Sequence, residues 1–291
     1  MKIQNSYKDE ERGALFIVPT PIGNLNDMTF RAVETLKNVD AIAAEDTRNT
    51  KKLLNHFEIH TPLVSYHEHN KHTRGPKLIE QIASGDRIAA VSDAGMPGIS
   101  DPGSDLVREA ISEDIPVIVL PGANAALPAL AGSGLPTEQF YFCGFLPRKK
   151  KEREAELENL KNVPATVIFY ESPHRLKEML NHVREVFGNR QAALARELTK
   201  RYEEFVRGSI DELIDWAEKG EVRGEFCVIV EGTEETEGHD DFWWTHLSII
   251  DHVNHYIEEK GMKSKEAIKQ TSVDRKLSKR DVYQAYHVKE N

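Results

Sequence analysis

The sequence predicts an α/β protein of two mixed α/β domains, residues 1–122 and 123–235, with a linker and a small helical tail at 236–291. Three observations predict this organisation. The chain has 291 residues, enough for about two domains of ordinary size. Short apolar runs alternate with helical patterns up to residue 230. A polar, acidic stretch at residues 231–241 then separates the last run from the tail and reads as a flexible linker.

Five short apolar runs in the first domain predict strands at residues 15–18, 41–44, 63–66, 88–91 and 117–120. Helical spacing follows several of these runs. Phe30, Val33 and Leu36 are spaced as one helix face, and Thr29 is placed to cap that helix. Because strands and helices alternate, we expect a mostly parallel sheet that is covered by helices.

The second domain starts after a stretch of small residues at 121–136, which predicts a closely packed helix or a helix leading into a linker. Strands are predicted at residues 140–142, 167–170, 192–195, 204–206 and 226–230. A charged helix is expected at 149–160. Ser172 and Pro173 suit the cap and first turn of a helix that ends near Phe187. Ser209 and Glu212 have the spacing of a capping box.

The tail carries one apolar stripe, which predicts helix. Its residues are Trp243, Trp244, Leu247, Ile250 and Val253.

Composition and charge limit the classes of protein that fit. The two cysteines, Cys143 and Cys227, are far apart and lack metal-ligand spacing, so we expect neither a disulfide nor a zinc site. Residues 1–13 have no apolar core typical of a signal peptide, and no run is long enough to span a membrane, which predicts a cytoplasmic protein. A net charge of −10 argues against a general nucleic-acid coat. Basic stretches at 148–153 and 260–289 could contact RNA or could be solvated surface.

Three constrained loops follow predicted strands and are candidates for a ligand site. They are residues 19–24, 92–103 and 120–125. The second loop combines three glycines, two prolines and two aspartates, so it can aim backbone N–H groups at a carboxylate, and Asp93 can accept from an ammonium or hydroxyl group. Ligands of open α/β sheets bind at the carboxyl ends of strands. The loops therefore predict a pocket for a small polar ligand, although each alone is compatible with a plain turn.

Other polar segments after strands are less specific. Asp46 or Thr47 could simply cap a helix, and His67 and His69 lie two apart without an evident third metal ligand. Residues 171–175 and 196–200 could be surface or could pair between domains.

Many of these segments together resemble the tetrapyrrole methylase superfamily of S-adenosylmethionine enzymes. Within it, they resemble the branch that methylates the 2′-hydroxyl of a cytidine in ribosomal RNA of the small subunit. The matching motifs are PTPIGNL (19–25), EDTR (45–48), SYHEHN (65–70), VSDAGMPGISDPG (91–103), PGANAALPAL (121–130), SGL (133–135), FCGFLPRK (142–149), FYESPHRL (169–176), RELTK (196–200) and RGEFCVIVEG (223–232). They cover roughly residues 13–232.

The resemblance implies two α/β domains of the tetrapyrrole-methylase type, S-adenosylmethionine in the cleft between them, and a homodimer. Carried over by motif, the implied cofactor contacts are Pro21, Gly23, Asp93, Ala94, Gly95, Met96, Ser100, Asn124 and Ala125. Residues near Phe142, Phe169 and Glu225 are expected to wall the adenine. The implied RNA contacts are Lys149, Lys150, Lys151 and Arg175.

Transfer of a methyl group to a ribose hydroxyl needs alignment and either a base or a cation that stabilises the developing alkoxide. The candidates are Asp46 or His67 as base and Arg48 or Lys200 as cation, with Glu197 orienting Lys200. The chemistry needs no metal.

Two other interpretations stay open. A methylase of a small tetrapyrrole-like molecule would need a large apolar trough. A non-catalytic RNA-binding module would bind the cofactor weakly.

Overall fold

The computed structural model describes residues 2–6, 12–101, 103–233, 243–244, 246–275 and 277–287. The chain forms two compact units, Met1–Glu234 and Glu235–Asn291. Within the described residues, we find no helix with the length and apolar character that a membrane crossing requires.

The first sheet is entirely parallel, as predicted. Its strands are β1 (Ala14–Ile17), β2 (Ala41–Ala44), β3 (Leu63–Ser65), β4 (Arg87–Val91) and β5 (Val117–Val119). They stand in the order β3-β2-β4-β1-β5, so β4 lies between β2 and β1 although it comes later in the chain. Because all five strands run the same way, the loops that follow them meet at one edge of the sheet.

Helices cover both faces of this sheet. They are α1 (Phe30–Asn38), α2 (Thr47–His56), α3 (Lys71–Ala83) and α4 (Gly103–Ser112). The Thr29 cap is confirmed, since its side chain accepts a hydrogen bond from the Ala32 N–H. The predicted apolar face of α1 is wrong in one residue: Ala32 and Leu36 are buried, but Phe30 is 96% exposed. Phe30 occupies the first helical position, which turns away from the sheet.

The second sheet is mixed rather than parallel. Its strands are β6 (Phe140–Phe145), β7 (Thr166–Glu171), β8 (Gln191–Arg196), β9 (Glu204–Ser209) and β10 (Phe226–Val230), in the order β6-β7-β10-β8-β9. β6 and β7 are parallel, and the other pairs are antiparallel. Consequently the carboxyl ends of β6, β7 and β8 and the amino end of β10 share one edge.

Four helices accompany the second sheet: α5 (Ala126–Ser133), α6 (Lys150–Leu160), α7 (Leu176–Phe187) and α8 (Ile210–Lys219). The capping box of α8 is confirmed in both directions between Ser209 and Glu212. The predicted start of α7 is wrong: the helix begins at Leu176, and residues 173–175 form a turn. The residue before the helix is Arg175, which makes no side-chain capping bond, and the Ser172 hydroxyl donates to the Glu171 carboxylate (3.4 Å).

The small-residue stretch predicted near the domain boundary contains α5. Ala129 and Leu130 of this helix pack in a buried cluster with Ile168 and Ile229 of the second sheet. Both sheets lie in the same compact unit, Met1–Glu234, and the division at residue 122 stays a prediction.

The tail is helical, with α9 (Ile249–Glu258), α10 (Ser264–Asp274) and α11 (Lys279–His287). Val253, Ala267, Ile268 and Val282 form its buried core. The predicted stripe is only partly buried, since Trp243 and Ile250 remain about half exposed (48% and 44%). Packing from three helices, rather than one continuous stripe, decides which apolar residues are covered.

Candidate functional site

A cleft of about 420 Å³ lies where the carboxyl edge of the first sheet meets the edge of the second. The first sheet contributes the loops after β1, β2, β4 and β5. The second contributes the ends of β6, β7 and β8 and the beginning of β10. The acidic residues that line the cleft are Glu45, Asp93, Asp101, Glu171, Glu197 and Glu225. Lys200 is the one Lys or Arg among the described residues that line it. The cleft therefore favours a ligand that carries positive charge.

The loops after β1 and β4 are joined by backbone hydrogen bonds. Thr20 and Gly95 exchange two N–H to carbonyl bonds of 2.9 Å each. The buried hydroxyl of Thr20 also donates to the Ser92 carbonyl (3.1 Å). Gly95 has a φ of +81°, a left-handed conformation that glycine adopts without strain. These hydrogen bonds fix the loops after β1 and β4 to each other at the cleft.

Asp101 braces the glycine-rich loop from inside. One oxygen of its carboxylate accepts from the N–H groups of Gly98 and Gly103, both at 2.7 Å. Burial raises the pKa of Asp101, and these two bonds oppose the rise. Ser100, just before it, adopts a left-handed φ of 63°. The carboxylate of Asp101 thus fixes the conformation of this loop.

Most of the predicted cofactor contacts line this cleft. They are Asp93, Ala94, Gly95, Met96, Ser100, Asn124 and Ala125. Pro21 and Gly23 do not line it, but Ile22 between them does. Gly23 instead lies against Lys200: a Cβ added to Gly23 would clash with the Lys200 Cγ. The Asn24 N–H also donates to the Thr199 hydroxyl (3.1 Å). The first loop therefore touches the RELTK turn across the cleft.

Lys200 sits between two carboxylates at the cleft. Its Nζ atom lies 2.9 Å from Glu197 Oε1 and 2.9 Å from Glu225 Oε2. Burial by itself lowers the pKa of Lys200, but the two ion pairs outweigh it and the net pKa is raised. Glu197 is held in a left-handed conformation (φ 50°), and its Oε1 also accepts from the Glu225 N–H (2.9 Å). The predicted contact between Glu197 and Lys200 is present.

The other three candidate catalytic residues do not line the cleft. Asp46 caps α2 by accepting from the Arg48 N–H, and Arg48 Nη2 lies 2.8 Å from Asp46 Oδ2. The hydrogen bonds from Arg48 lower the pKa of Asp46 to about 2, which weakens it as a base. His67 follows β3; its N–H donates to the Asn70 side chain, and its Nδ1 is buried without a hydrogen-bond partner in the described part of the chain.

Glu45, the residue before Asp46, does line the cleft. Burial raises the pKa of Glu45, and the charges of Asp93 and Asp101 raise it further. Sequence reasoning missed this residue because the capping pattern drew attention to Asp46 and Thr47. The available signal was that Glu45 is the first residue after β2, at the edge where the loops meet.

The second sheet supplies an apolar wall. Tyr170, Ala195, Leu198, Phe226 and Cys227 line the cleft there. Glu225 also lines it, as expected, whereas Phe169 is fully buried in the core because successive strand residues face opposite sides. The Phe142 ring packs against the ring of Tyr170, with centroids 4.9 Å apart. Tyr170, the neighbour of Phe169, lines the cleft, within the region that the sequence indicated for this wall.

The predicted RNA contacts lie at the start of α6 and α7. Lys149, the residue before α6, pairs with Glu152 (2.8 Å), and Lys150 pairs with Glu154 (3.5 Å). Lys151 is exposed. Arg175 makes hydrogen bonds within the protein: its Nη2 donates to the carbonyls of Leu146 (2.9 Å) and Pro147 (3.2 Å).

One group in the described residues has a geometry that could suit a metal ion: Glu154, His182 and Glu185. The Arg153 Nε atom donates to His182 Nδ1 (2.8 Å). A neutral imidazole whose Nδ1 accepts a hydrogen bond carries its proton on Nε2. Neither ring nitrogen is then free to ligate a metal, so this group does not fit one.

Comparison with known proteins adds to this geometry. Residues 14–214 match the family model of the tetrapyrrole (corrin/porphyrin) methylases. The chain is 58% identical over 288 residues to the ribosomal RNA small subunit methyltransferase I of Halalkalibacterium halodurans, covering 99% of each protein. It is 57% identical over 281 residues to the protein of the same name from Bacillus subtilis, covering 96% of each.

Among solved structures, the fold is similar to that of the uroporphyrin-III C-methyltransferase from Thermus thermophilus complexed with S-adenyl homocysteine. The TM-score is 0.53 with 19% identity, over 75% of this chain and 97% of that one.

Proposed function

Because this chain belongs to the tetrapyrrole (corrin/porphyrin) methylase family, we propose that it uses S-adenosylmethionine to methylate the 2′-hydroxyl of a cytidine in 16S ribosomal RNA of the small subunit. Its close likeness to the two ribosomal RNA methyltransferases extends over nearly the whole chain, including the tail. That extent supports an RNA substrate, and such a substrate fits a cytoplasmic protein.

The observation that carries the cofactor proposal is the charge of the cleft. S-adenosylmethionine has a sulfonium and an ammonium group but a single carboxylate, so a lining rich in carboxylates suits it. Asp93 is placed to accept from an ammonium or hydroxyl group. The N–H groups of the glycine-rich loop suit the carboxylate, and the wall containing Tyr170 and Phe226 suits the adenine. The lining therefore offers a matching environment for each part of the cofactor.

The protein's part in the reaction is mainly alignment. The sulfonium methyl is already activated when bound, so correct placement of the ribose oxygen contributes much of the rate, about 7–11 kcal/mol in favourable cases. Lys200 lines the cleft and is the proposed cation near the developing alkoxide. Asp46, Arg48 and His67 remain proposals with less support, because none of them lines the cleft.

The direct test is transfer of a labelled methyl group from S-adenosylmethionine to unmodified small ribosomal subunits. We expect label on a cytidine ribose after nuclease digestion. Asp93→Ala should weaken binding of S-adenosylhomocysteine and reduce transfer. Asp215→Ala is the matched control, since Asp215 pairs with Lys219 on α8 and does not line the cleft.

The same experiment separates the alternatives. Label in a porphyrin precursor but not in RNA would favour a small-molecule methylase. Absence of cofactor binding by calorimetry would favour a non-catalytic RNA-binding module. Label on a base instead of a ribose would keep the RNA substrate and reject 2′-O specificity.

We also propose that the protein is a homodimer, as the family resemblance implies. Sedimentation velocity on the full chain tests this, and a single monomeric species at micromolar concentration would contradict it.

A further inference from the structure

The order of the strands divides the carboxyl edge of the first sheet into two halves. The loops proposed to hold the cofactor follow β4, β1 and β5, which are neighbours. The loops after β2 and β3 occupy the other half. Glu45 is the first residue after β2, and β2 is the strand next to β4. Glu45 therefore lies at the junction between the proposed cofactor half and the half formed by the loops after β2 and β3.

Contacts tie Glu45 to the cofactor loop. The Asp93 backbone acts on the Glu45 carboxylate and opposes the rise in its pKa that burial causes. The Asp93 side chain in turn accepts from the Asp46 N–H (3.1 Å). The Asp93 side chain thus connects the loops after β2 and β4, and Glu45 lines the cleft at this connection.

Three other ionisable groups considered for the reaction are poorly suited to accept a proton. Lys200 is paired with two carboxylates, which favours its protonated form. Asp46 is paired with Arg48 and lies outside the cleft. Asp101 uses one oxygen to hold the loop. Glu45 has no ion-pair partner within the described residues.

We infer that Glu45 is the general base of the reaction. This inference rests on the proposed RNA 2′-O-methylation. The 2′-oxygen of the ribose forms a bond to the transferred methyl carbon as the bond from that carbon to sulfur breaks, with its electron pair going to sulfur. The 2′ O–H bond breaks, and its proton goes to the Glu45 carboxylate. The ribose enters from the β2–β3 half of the edge.

The electrostatic surroundings of Glu45 suit this role. The groups that act on it are Asp93, Asp101 and His67, and burial together with the two aspartates raises its pKa above the ordinary carboxyl value of 4.5. A base accepts a proton more effectively as its pKa approaches the working pH. Because the deprotonated form is the active one, the rate should fall as pH falls through this raised pKa.

The test compares Glu45→Gln with wild type in single-turnover methyl transfer to small ribosomal subunits, with cofactor saturating. We expect the rate to fall about 10²–10⁴-fold. Affinity for S-adenosylhomocysteine, measured by calorimetry, should stay unchanged and shows that the variant is folded. The acidic limb of the wild-type pH–rate profile should disappear. Glu34→Gln, an exposed substitution on α1, is the matched control and should behave as wild type.

Three outcomes would overturn the inference. The first is an unchanged rate in Glu45→Gln. The second is lost S-adenosylhomocysteine affinity with a normal rate at saturation, which would make Glu45 a cofactor ligand. The third is a pH–rate profile of Glu45→Gln that keeps the acidic limb seen in wild type. If wild type itself places no methyl on a cytidine ribose, the proposed function fails instead, and the two failures are therefore distinguishable.

Discussion

At the scale of single residues, the chemistry of the carboxylates in and beside the cleft depends on whether each one has an ion-pair partner. Glu197 and Glu225 share Lys200, Asp46 is paired with Arg48, and Glu45 forms no ion pair among the described residues. Adjacent residues with the same functional group consequently differ in chemistry: the pKa of Asp46 is lowered to about 2 by Arg48, whereas burial raises the pKa of Glu45. Sequence alone does not distinguish them, because both follow β2 directly.

The role of Lys200 is tested by Lys200→Met, which keeps much of the aliphatic stem that packs against Gly23. We expect slower methyl transfer with little change in S-adenosylhomocysteine binding, because the cation is lost where alkoxide charge develops. Single-turnover kinetics and calorimetry measure the two effects.

Lys219→Met is the control for that experiment, since Lys219 forms an exposed ion pair with Asp215 on α8. Normal cofactor binding with undiminished turnover in Lys200→Met would remove Lys200 from the catalytic candidates.

At the scale of helices and strands, capping predictions were correct where the capping side chain and the N–H group that it binds are close in sequence. Thr29 and Ser209 cap their helices as predicted, since each accepts from an N–H three residues ahead. Ser172 has the same kind of signal and fails. The adjacent Glu171 is buried at a strand end, and the Ser172 hydroxyl donates to its carboxylate (3.4 Å). Residues 173–175 form a turn, so the helix begins at Leu176 and Ser172 is not the residue that precedes it.

Ser209→Ala tests the capping box of α8. The change removes the acceptor for the Glu212 N–H and weakens the reciprocal bond, in which the Ser209 N–H donates to Glu212 (2.8 Å). We expect the free energy of unfolding to fall by about 1 kcal/mol. Urea denaturation followed by circular dichroism measures it.

The matched control is Ser112→Ala, because Ser112 ends α4 and caps no helix amino terminus. An equal loss of stability in both variants would contradict a specific contribution from the box.

At the scale of the whole molecule, an acidic protein must bind an acidic polymer under the proposed function. The net charge is −10, and the predicted RNA contacts on α6 are interleaved with glutamates that pair with Lys149 and Lys150. The positive charge of this segment is therefore partly neutralised by its own glutamates. A few contacts and the shape of the assembled subunit would have to supply the affinity.

Lys150→Glu combined with Lys151→Glu tests that segment. We expect weaker binding to small ribosomal subunits and a salt dependence that is lower by roughly two phosphate contacts. Cofactor affinity should not change, because neither lysine lines the cleft. Filter binding at several salt concentrations provides the measurement.

A control with the same change in net charge is Lys37→Glu combined with Lys219→Glu, on α1 and α8. If both double variants weaken binding equally, the effect comes from total charge and not from α6.

The strands, most helix positions, two caps and the family resemblance could be predicted from the amino-acid sequence alone. It also predicted that loops after parallel strands would meet, because that follows from strand direction alone. Which side chains line the cleft depends on the three-dimensional packing: Glu45 instead of Asp46, and Ile22 instead of Pro21 and Gly23. Among the residues near Phe169, it is Tyr170 that lines the cleft. The physical reason is that β4 inserts between β1 and β2, and that the second sheet packs across this edge. The burial and ion pairing of these side chains depend on segments that are far apart in the chain. A local sequence pattern does not contain the distances between such segments.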